Sequence, residues 1–515
     1  MGVSWSQGYF TDVGYTYGYY RDISPAFQRF CLLLRGFDAL QATPDAVHCE
    51  LGFGQGISVN IHAAATPGHY VGTDFNPAQA AHANQLARAS GSGARLYDDS
   101  FEQLLARPDL PQFDSISLHG IWTWVSRDNH KVVAEFARRH LKPGGVFYVS
   151  YNCFPGWSPA YPLRQIFALH DRFASTHPGA VERVEQALKF SENLLAAKPA
   201  YLRQVPGLED KLKAIAGQNR HYLAHEYFNQ EWNCMYFTDV VDALESAKLD
   251  YAGTAVPLDV VDAINLTAPA RSFLGTIEHP ILREQTRDYF VGQQFRKDLY
   301  MRGARRLTPV EQRQLLLEMR FALLKAADAV TYKVTTPLGE ATMQEALYAP
   351  LVAALADKQY SPKTLAELAA QAPALTWPQL IEALTVLVGM GAATPCQTEA
   401  AAKQVHKRCS ALNQYLIGRA QLGNDIQALA SPVVGGGVAV SRFCQLFLLA
   451  RQGGHKQASD WAQFAWKVLQ AQGQRLLLEG KTIESPEDNL AELTRQAQEF
   501  HDKQLPILRA LQVAG

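Results

Sequence analysis

The chain has 515 residues, too many for one hydrophobic core, so we expect about two to four domains. Lys and Arg number 48 against 49 Asp and Glu, a balance that disfavours nucleic acid or an anionic membrane surface as a partner. The 7 cysteines are scattered singly, which favours reduced thiols over a disulfide framework or a zinc site. With no secretory signal pattern and no apolar window approaching the roughly 20 residues that span a bilayer, we expect a cytoplasmic protein.

An aromatic segment lies near the start of the sequence, interleaved with Gly14 and Gly18 and followed by a predicted helix over 24–40. Its aromatic residues are Tyr9, Phe10, Tyr15, Tyr17, Tyr19 and Tyr20. Aromatic faces attract cations, and phenol groups offer hydrogen bonds. The segment is therefore either a lid over a cationic ligand, with Tyr17 and Tyr19 as candidate catalytic residues, or an arm that packs its rings on the domain surface.

The segment VHCELGFGQG (47–56) is typical of a strand that ends in an acid and runs into a glycine turn, and YVGTDFNP (70–77) is typical of the next strand. A dinucleotide site needs Gly-x-Gly-x-x-Gly, but here Ile57 holds the position of the third glycine. Glu50, before the first glycine, would repel a pyrophosphate and attract a sulfonium or ammonium group. The pattern favours S-adenosyl-L-methionine as the cofactor, with Asp74 binding its ribose. The alternatives are a glycine-rich turn of another α/β domain and, for Asp74, a helix cap.

The Glu-x-Gly-x-Gly-x-Gly pattern resembles the glycine loop of class I S-adenosylmethionine-dependent methyltransferases. The resemblance implies that Glu50 faces the cationic end of the cofactor and that Asp74 accepts hydrogen bonds from both ribose hydroxyls. It also implies that three glycines let the backbone lie against the methionine and ribose portions, namely Gly52, Gly54 and Gly56.

An acidic pair follows the third predicted strand in YDDSFEQL (97–104). By the same resemblance an acid at this point accepts the adenine amino group, and we prefer Asp99, with Asp98 close behind. Ser100 joins them as a candidate for the cofactor site and as the cap of the next helix. The alternative is that both acids are helix-start residues favoured by the helix dipole.

The fourth predicted strand ends in SLHGIWTWVS (117–126). The resemblance places His119 and Gly120 beside the sulfur of the cofactor, while Trp122 and Trp124 can wall the acceptor site. Methyltransferases that act on nucleobases carry an Asn/Asp-Pro-Pro-Tyr/Phe tetrapeptide at this point. Its absence from this sequence disfavours a DNA base as the acceptor.

The fifth predicted strand delivers YNCFPGW (151–157) to the same edge of the sheet. Tyr151 and Asn152 can orient an incoming amine by hydrogen bonds, and Trp157 can stack on it. The alternative is that these residues only form a polar strand end and anchor the turn that follows it.

Five predicted strands alternate with helices, which indicates an α/β fold with a parallel, Rossmann-like sheet; the strands lie near 46–51, 69–74, 94–97, 113–119 and 145–151. A helix and strand over 239–256 and the segment FRKDLYMR (295–302), as a last antiparallel strand, complete the seven strands of a class I methyltransferase core at 1–152 and 235–305. The charges of FRKDLYMR also fit one solvated face of a helix.

Residues 153–234 are expected to form a helical insertion, or lid, that roofs the ligand-binding edge of the sheet. Within it, HEYFN (225–229) is not the His-Glu-x-x-His zinc motif, so we assign no metal. We expect His225 and Glu226 to form a structural hydrogen bond near the lid.

The remaining sequence predicts two further domains. Residues 306–400 are typical of a winged-helix-like module with a hairpin in TYKVTTPLGEATM, and residues 401–515 of a helical domain with one loop at 431–440. The module lacks a Lys/Arg cluster, so we favour docking of a partner or substrate over binding of nucleic acid.

Several segments together resemble a bacterial group of class I methyltransferases that carries a methyltransferase regulatory domain. The resemblance covers about residues 8–303, with the regulatory region at about 219–303, and rests on DVGYTYGYYRDISP, ELGFGQG, GTDFNP, HGIWTWVS, YNCFPGW, HYLAHEYFN, REQTRDYF and FRKDLYMR. The best understood members are rickettsial protein lysine methyltransferases, which act on an outer-membrane surface protein. The resemblance implies a protein substrate with a lysine side-chain amine as the acceptor, and it leaves a homodimer open. The alternatives are a small-molecule methyltransferase and a cofactor-binding scaffold without catalysis.

Overall fold

The structure, a computed structural model, describes residues 16–177, 179–227, 229, 231–478 and 480–514. Four residues of the predicted aromatic segment lie outside the described residues, namely Tyr9, Phe10, Gly14 and Tyr15. Over the described part of the chain, no helix combines the length and the apolar character that crossing a bilayer requires.

A seven-stranded sheet organises the first 300 or so residues. Its strands are β1 (Val47–Leu51), β2 (His69–Thr73), β3 (Arg95–Tyr97), β4 (Phe113–Leu118), β5 (Leu141–Asn152), β6 (Leu249–Thr254) and β7 (Phe295–Arg302). The order is β3-β2-β1-β4-β5-β7-β6; β1 to β5 run parallel, and β7 pairs antiparallel with both β5 and β6. The predicted Rossmann-like sheet is confirmed, and FRKDLYMR is a strand rather than a helix face. The order reverses between β1 and β4, and ligands of α/β sheets bind at the carboxyl ends of strands beside such a reversal.

Helix α1 (Pro25–Leu34) precedes β1, and the following helices connect the first five strands: α2 (Ile57–Ala65), α3 (Pro77–Ser90), α4 (Phe101–Leu105) and α5 (Arg127–His140). Helix α1 begins at Pro25, close to the start of the predicted helix over 24–40, but ends well before residue 40. It ends there because Gly36 takes a left-handed φ of 80° and Phe37 then pairs with Arg306 in a β-bridge.

The insertion after β5 contains, in its described residues, the helices α6 (Tyr161–Ala174), α7 (Ala180–Ala196), α8 (Ala200–Gln204), α9 (Leu208–Ala216) and α10 (Arg220–Tyr227). Their apolar side chains form a small core of their own, which includes Phe167, Leu188 and Leu223. Cys153 and Met235 pair in a β-bridge, so the insertion leaves and rejoins the sheet at one point of its edge.

The chain then returns to the sheet through α11 (Phe237–Glu245), α12 (Asp262–Asn265), α13 (Ala268–Gly275) and α14 (Pro280–Val291). Buried Arg296 on β7 forms ion pairs with Glu284 at 2.9 Å, Asp288 at 2.5 Å and Asp298 at 2.9 Å. These charges fix α14 against β7, because a buried guanidinium is stable only when it is paired.

The region after β7 contains α15 (Pro309–Glu318), β8 (Arg320–Leu323), β9 (Lys333–Thr336), β10 (Gly339–Thr342), α16 (Glu345–Tyr360), β11 (Lys363–Thr364), α17 (Leu365–Gln371), α18 (Trp377–Gly389) and β12 (Ala393–Cys396). Strand β8 is the centre of a three-stranded antiparallel sheet with β11 and β12, and β9 pairs with β10 in the predicted hairpin. Phe321 and Leu384 share one core with Phe30 of α1 and Leu299 of β7. The winged-helix-like assignment stays a prediction.

The last region contains α19 (Glu399–Arg419), β13 (Ala428–Ser431), β14 (Gly436–Ala439), α20 (Arg442–Gln452), α21 (Ala458–Ala471), β15 (Leu477–Leu478), β16 (Lys481–Thr482), α22 (Pro486–Glu499) and α23 (Leu505–Ala510). It is mainly helical, as predicted, but the loop predicted at 431–440 is wrong. Strands β13 and β14 form a hairpin there, and its Val438 packs in one core with Ile57 and Ile61 of α2. The hairpin forms because Gly435 closes its turn at a φ of 67° and an apolar helix face is available to bury it.

Candidate active site

A cavity of about 420 Å³ lies at the carboxyl ends of β1, β2, β4 and β5. Tyr20, from the segment before α1, and two residues of the insertion helix α10, Tyr222 and Glu226, close its other sides. The site therefore draws on the sheet, the start of the described chain and the insertion.

The glycine turn after β1 takes a backbone path that only glycine adopts without strain. Gly52, Gly54 and Gly56 have φ values of 74°, 56° and 74°. A Cβ on Gly52 would lie 2.6 Å from Ile121, and one on Gly56 would lie 2.3 Å from Ala83 of α3. Gly52 and Gly54 line the cavity, whereas Gly56 caps α2 and lets it pack on α3.

Asp74, at the tip of β2, is held by the turn opposite it. Its Oδ2 accepts a hydrogen bond from the backbone N–H of Gly54 at 2.8 Å, and its Oδ1 accepts one from the N–H of Asn76 at 3.0 Å. The Gln79 amide, oriented with its nitrogen toward the carboxylate, donates to Oδ1 at 2.9 Å. Burial raises the pKa of Asp74 to about 6, which these hydrogen bonds partly oppose. The helix-cap alternative does not apply, because the side chain of Asn76 caps α3.

Glu50, at the end of β1, is a buried carboxylate that faces the cavity and is 7% exposed. Burial, with a smaller contribution from the charge of Asp74, raises the pKa of Glu50 to about 8. None of the described residues donates a hydrogen bond to its carboxylate. Two buried acids at one end of a cavity fit a positively charged ligand and not a pyrophosphate, so the donor set fits the sulfonium and ammonium groups of S-adenosylmethionine.

Beyond β3, the structure separates the two acids of the predicted adenine site. Asp99 lines the cavity, and its carboxylate is paired with Arg107. Asp98 is exposed and does not line the cavity, because the Oγ1 of Thr73 binds the carbonyl of Asp99 and turns that residue inward. Ser100 lines the cavity and forms a capping box with Gln103, as predicted for the start of α4.

His119, at the end of β4, lies in the cavity wall between two tyrosines. Its Nδ1 is 2.8 Å from the hydroxyl of Tyr148, and the ring of Tyr20 stacks on its imidazole with a centroid distance of 3.9 Å. Burial lowers the pKa of His119 to about 4, so the ring is neutral near pH 7. A neutral imidazole does not repel a cationic ligand.

Three predicted residues lie in the cavity wall, one after β4 and two at and after the end of β5. Trp124, Asn152 and Trp157 line it, and the Trp157 Nε1–H donates to the Oδ1 of Asn152 at 3.2 Å. The Asn152 backbone N–H donates to the Oγ1 of Thr123 at 2.8 Å, which fixes the strand end. Trp122 is instead fully buried and stacks on His130 with a centroid distance of 4.1 Å, so it does not wall the cavity.

The predicted roles of three tyrosines are corrected, because none of them lines the cavity. Tyr17 packs edge-to-face on His82 of α3 with a centroid distance of 5.3 Å. The Tyr19 hydroxyl accepts a hydrogen bond from the N–H of Gly437 at 2.7 Å. The Tyr151 hydroxyl donates to Asp298 at 2.6 Å on the far side of β5, because successive strand residues point to opposite faces. The packing alternative holds for the described part of the aromatic segment, except for Tyr20.

Several cavity residues were not predicted as site residues, and two of them belong to α10. Glu226, expected to form only a structural hydrogen bond, lines the cavity together with Tyr222, whose hydroxyl donates to the Glu226 carboxylate. Their spacing of four places both on one face of α10. The pattern HYLAHE carries this spacing, but only the fold shows that the face points at the cofactor edge.

A seven-stranded sheet whose order ends in β5-β7-β6 with β7 antiparallel, together with two buried acids that line the cavity beside the reversal point, defines a class I S-adenosylmethionine-dependent methyltransferase. Comparison with known proteins supports this class. A family model described as "Methyltransferase domain" matches residues 49–145, and one described as "Predicted methyltransferase regulatory domain" matches residues 219–302. An uncharacterized protein of Synechocystis sp. is 38% identical over 516 residues, covering 99% of this chain and 100% of the relative. The chain belongs to the family of class I methyltransferases that carry a methyltransferase regulatory domain.

Two rickettsial proteins extend the comparison. An uncharacterized protein of Rickettsia prowazekii is 26% identical over 48% of this chain and 45% of its own length. The structure of PKMT2 from Rickettsia typhi in complex with AdoHcy matches with a TM-score of 0.69 and 18% identity, covering 97% of this chain and 100% of that chain. The fold is therefore shared along nearly the whole chain. The predicted enzyme class and its cofactor, S-adenosyl-L-methionine, are confirmed.

Proposed function

We propose that the protein transfers a methyl group from S-adenosylmethionine to the side-chain amine of a lysine in a protein substrate. One observation supports a protein as the acceptor. A series of neighbouring aromatic side chains, the aromatic path, leads from the cavity to the surface. Trp157 lines the cavity, its ring lies 5.1 Å from that of Trp232, and Trp232 lies 5.2 Å from Tyr161, which is 39% exposed. Such a path suits an acceptor that stays outside and inserts one long side chain with an apolar stem and a cationic end.

Further aromatic side chains adjoin this path at the surface. The ring of Phe154 lies 5.6 Å from Tyr161 and 5.4 Å from Tyr236, which is 37% exposed. Exposed aromatic groups beside an active site are typical of protein-binding surfaces. This surface supports a protein substrate rather than a freely diffusing small molecule.

At the other end of the cavity, the acids hold the cofactor in this proposal. Glu50 binds its cationic end, Asp74 accepts from the ribose hydroxyls, and Gly52 and Gly54 let the backbone approach. Asp99 and Ser100 lie on the adenine side. When bound, the cofactor supplies an electrophilic methyl carbon on a sulfonium.

The residues on the acceptor side of the cavity align the acceptor in this proposal. Trp124 and Trp157 enclose the alkyl stem and exclude water, and Asn152 fixes Trp157 through its hydrogen bond. The neutral ring of His119 lines the same cavity without adding a positive charge. The chain therefore provides alignment and a dry, anionic pocket.

The test is to incubate the purified protein with methyl-labelled cofactor and a cell lysate, and to separate proteins from small molecules. We expect label in the protein fraction, and mass spectrometry should locate it on lysine. Label in the small-molecule fraction alone would support a small-molecule methyltransferase. Cofactor binding without any transfer would support a scaffold.

A further inference from the structure

Helix α10 places an acid and a phenol in the active-site cavity from a region outside the cofactor-binding core. Glu226 and Tyr222 both line the cavity, and the Tyr222 hydroxyl donates a hydrogen bond to the Glu226 carboxylate. Both residues lie within 219–302, the segment that matches the regulatory-domain model. The regulatory segment therefore contributes chemical groups to the site itself.

The carboxylate of Glu226 has no neutralising partner among the described residues. The nearest cation that influences it, Arg164 of α6, is engaged elsewhere: its Nη2 donates to the carbonyl of Asn229 at 2.9 Å, and its guanidinium lies 5.0 Å from the ring centroid of Trp232. The other titratable groups that face this position are Tyr222, Tyr227 and, through Tyr222, Tyr20. Burial raises the pKa of Glu226 to about 7, opposed by the hydrogen bond from Tyr222 and the charge of Arg164.

We propose that Glu226 binds the ammonium group of the acceptor and accepts its proton before methyl transfer, and that Tyr222 is a positioning residue for this carboxylate. The inference rests on the proposed function, since it names the residue that recognises an alkylamine. A lysine ammonium has no lone pair and cannot attack a methyl carbon. A base in the cavity must take its proton first.

Proton transfer to Glu226 precedes methyl transfer. An N–H bond of the ammonium breaks, and the proton forms an O–H bond with the Glu226 carboxylate, which leaves a neutral amine and a neutral acid. The freed lone pair then forms the N–C bond while the C–S bond breaks and its electrons remain on sulfur. The proton on Glu226 later leaves to solvent, which restores the carboxylate.

A binding experiment tests this role without turnover. The probe is n-butylamine, titrated by calorimetry into protein saturated with S-adenosylhomocysteine, from about pH 5 to about pH 9, where the probe is an ammonium ion throughout. We expect the wild-type affinity to rise through about pH 7 as Glu226 ionises. Glu226→Gln should reduce the affinity by about tenfold or more and abolish its dependence on pH.

Two further variants make the experiment specific. Glu209→Gln changes an exposed acid of the same insertion and should behave as the wild type. Tyr222→Phe should move the pH midpoint upward, because the hydrogen bond that lowers the pKa of Glu226 is lost. Affinity for S-adenosylhomocysteine should stay unchanged in all variants, which shows that they are folded.

Absence of n-butylamine binding to the wild type, or equal binding to the wild type and Glu226→Gln, would overturn the role of Glu226. The lysate experiment tests the protein acceptor, and its outcome does not depend on the outcome of the n-butylamine experiment. Label found only on small molecules, with n-butylamine binding lost in Glu226→Gln, would keep Glu226 as an amine-binding residue and reject the protein acceptor. Labelled lysine in protein, with n-butylamine binding unchanged in Glu226→Gln, would keep the protein acceptor and reject the role of Glu226.

Discussion

The backbone N–H of Gly54 donates to the Oδ2 of Asp74 at 2.8 Å, which joins the turn after β1 to the acid that ends β2. The carboxylate is thus oriented before any ligand arrives. Because its position is already fixed, binding a ribose would require little ordering of this side chain.

Asp74→Asn should weaken binding of S-adenosylhomocysteine by about 1 to 3 kcal/mol, because charged hydrogen bonds to the ribose hydroxyls are lost. Isothermal titration calorimetry measures the change. Asp98→Asn is the matched control, since Asp98 is exposed and outside the cavity, and it should bind as the wild type. A loss in Asp98→Asn that equals the loss in Asp74→Asn would contradict this assignment.

Glu50 should make cofactor binding dependent on pH. Its pKa of about 8 in the unliganded protein lies above the ordinary value, so most of the population is protonated near neutral pH. A cationic ligand needs the ionised form, so affinity for S-adenosylmethionine should rise as the pH increases toward about 8 and level off above it. Calorimetry across this range should find the dependence reduced in Glu50→Gln, and a persisting slope would assign it to another group.

The same substitution should stabilise the unliganded protein. A carboxyl whose folded pKa exceeds its unfolded pKa favours the folded state at low pH and loses that contribution as the pH rises from about 4.5 to about 8. At about pH 8, Glu50→Gln should raise the free energy of unfolding by on the order of 2 kcal/mol. Urea denaturation at about pH 8 and about pH 4.5 measures it, and equal effects at the two pH values would refute the prediction.

Removal of the hydroxyl group should lower the free energy of unfolding at Tyr19 but not at Tyr17. Tyr19→Phe removes the acceptor of the Gly437 N–H, and we expect a loss of about 1 to 2 kcal/mol in the free energy of unfolding. Tyr17→Phe removes a hydroxyl outside the cavity and should leave both the free energy of unfolding and the labelling rate unchanged. A fall in labelling rate in Tyr17→Phe at unchanged stability would restore Tyr17 as an acceptor-guiding residue.

Trp157→Leu should reduce methyl transfer while sparing cofactor affinity. The substitution removes an indole face from the acceptor side and the donor to Asn152. We expect a rise in the KM for the acceptor of about tenfold, in line with the loss of one desolvated cation–aromatic contact. Phe173→Leu, which changes a 72% exposed ring on the insertion, is the control.

The sequence predicts best where local pattern and function coincide. The strand ends carry their ligand-facing residues at fixed spacing, so Glu50, Asp74 and His119 were found at the cavity. Strand β7 was also found, although no local pattern shows that its buried polar residues, Arg296 and Asp298, pair with each other and that Arg296 also pairs with acids of α14.

The errors on Tyr151, Tyr19 and Glu226 share one physical cause, which is contact between residues far apart in the chain. Tyr151 points to Asp298, 147 residues away, and no local signal in YNCFPGW indicates this partner. Tyr19 meets Gly437, 418 residues away. Glu226 was missed because helix α10 reaches the cavity only through the fold of the insertion.

The hairpin of β13 and β14 has a consequence for how the molecule matures. It covers an apolar face of α2, the helix that directly follows the glycine turn, and a Cβ on Gly437 would lie 2.8 Å from the ring of Tyr19. During synthesis, this face of α2 stays uncovered until residues 428–439 have left the ribosome. The apolar face of α2 is therefore buried only after residues 428–439 have been synthesised, and until then it is exposed apolar surface of the kind that favours aggregation.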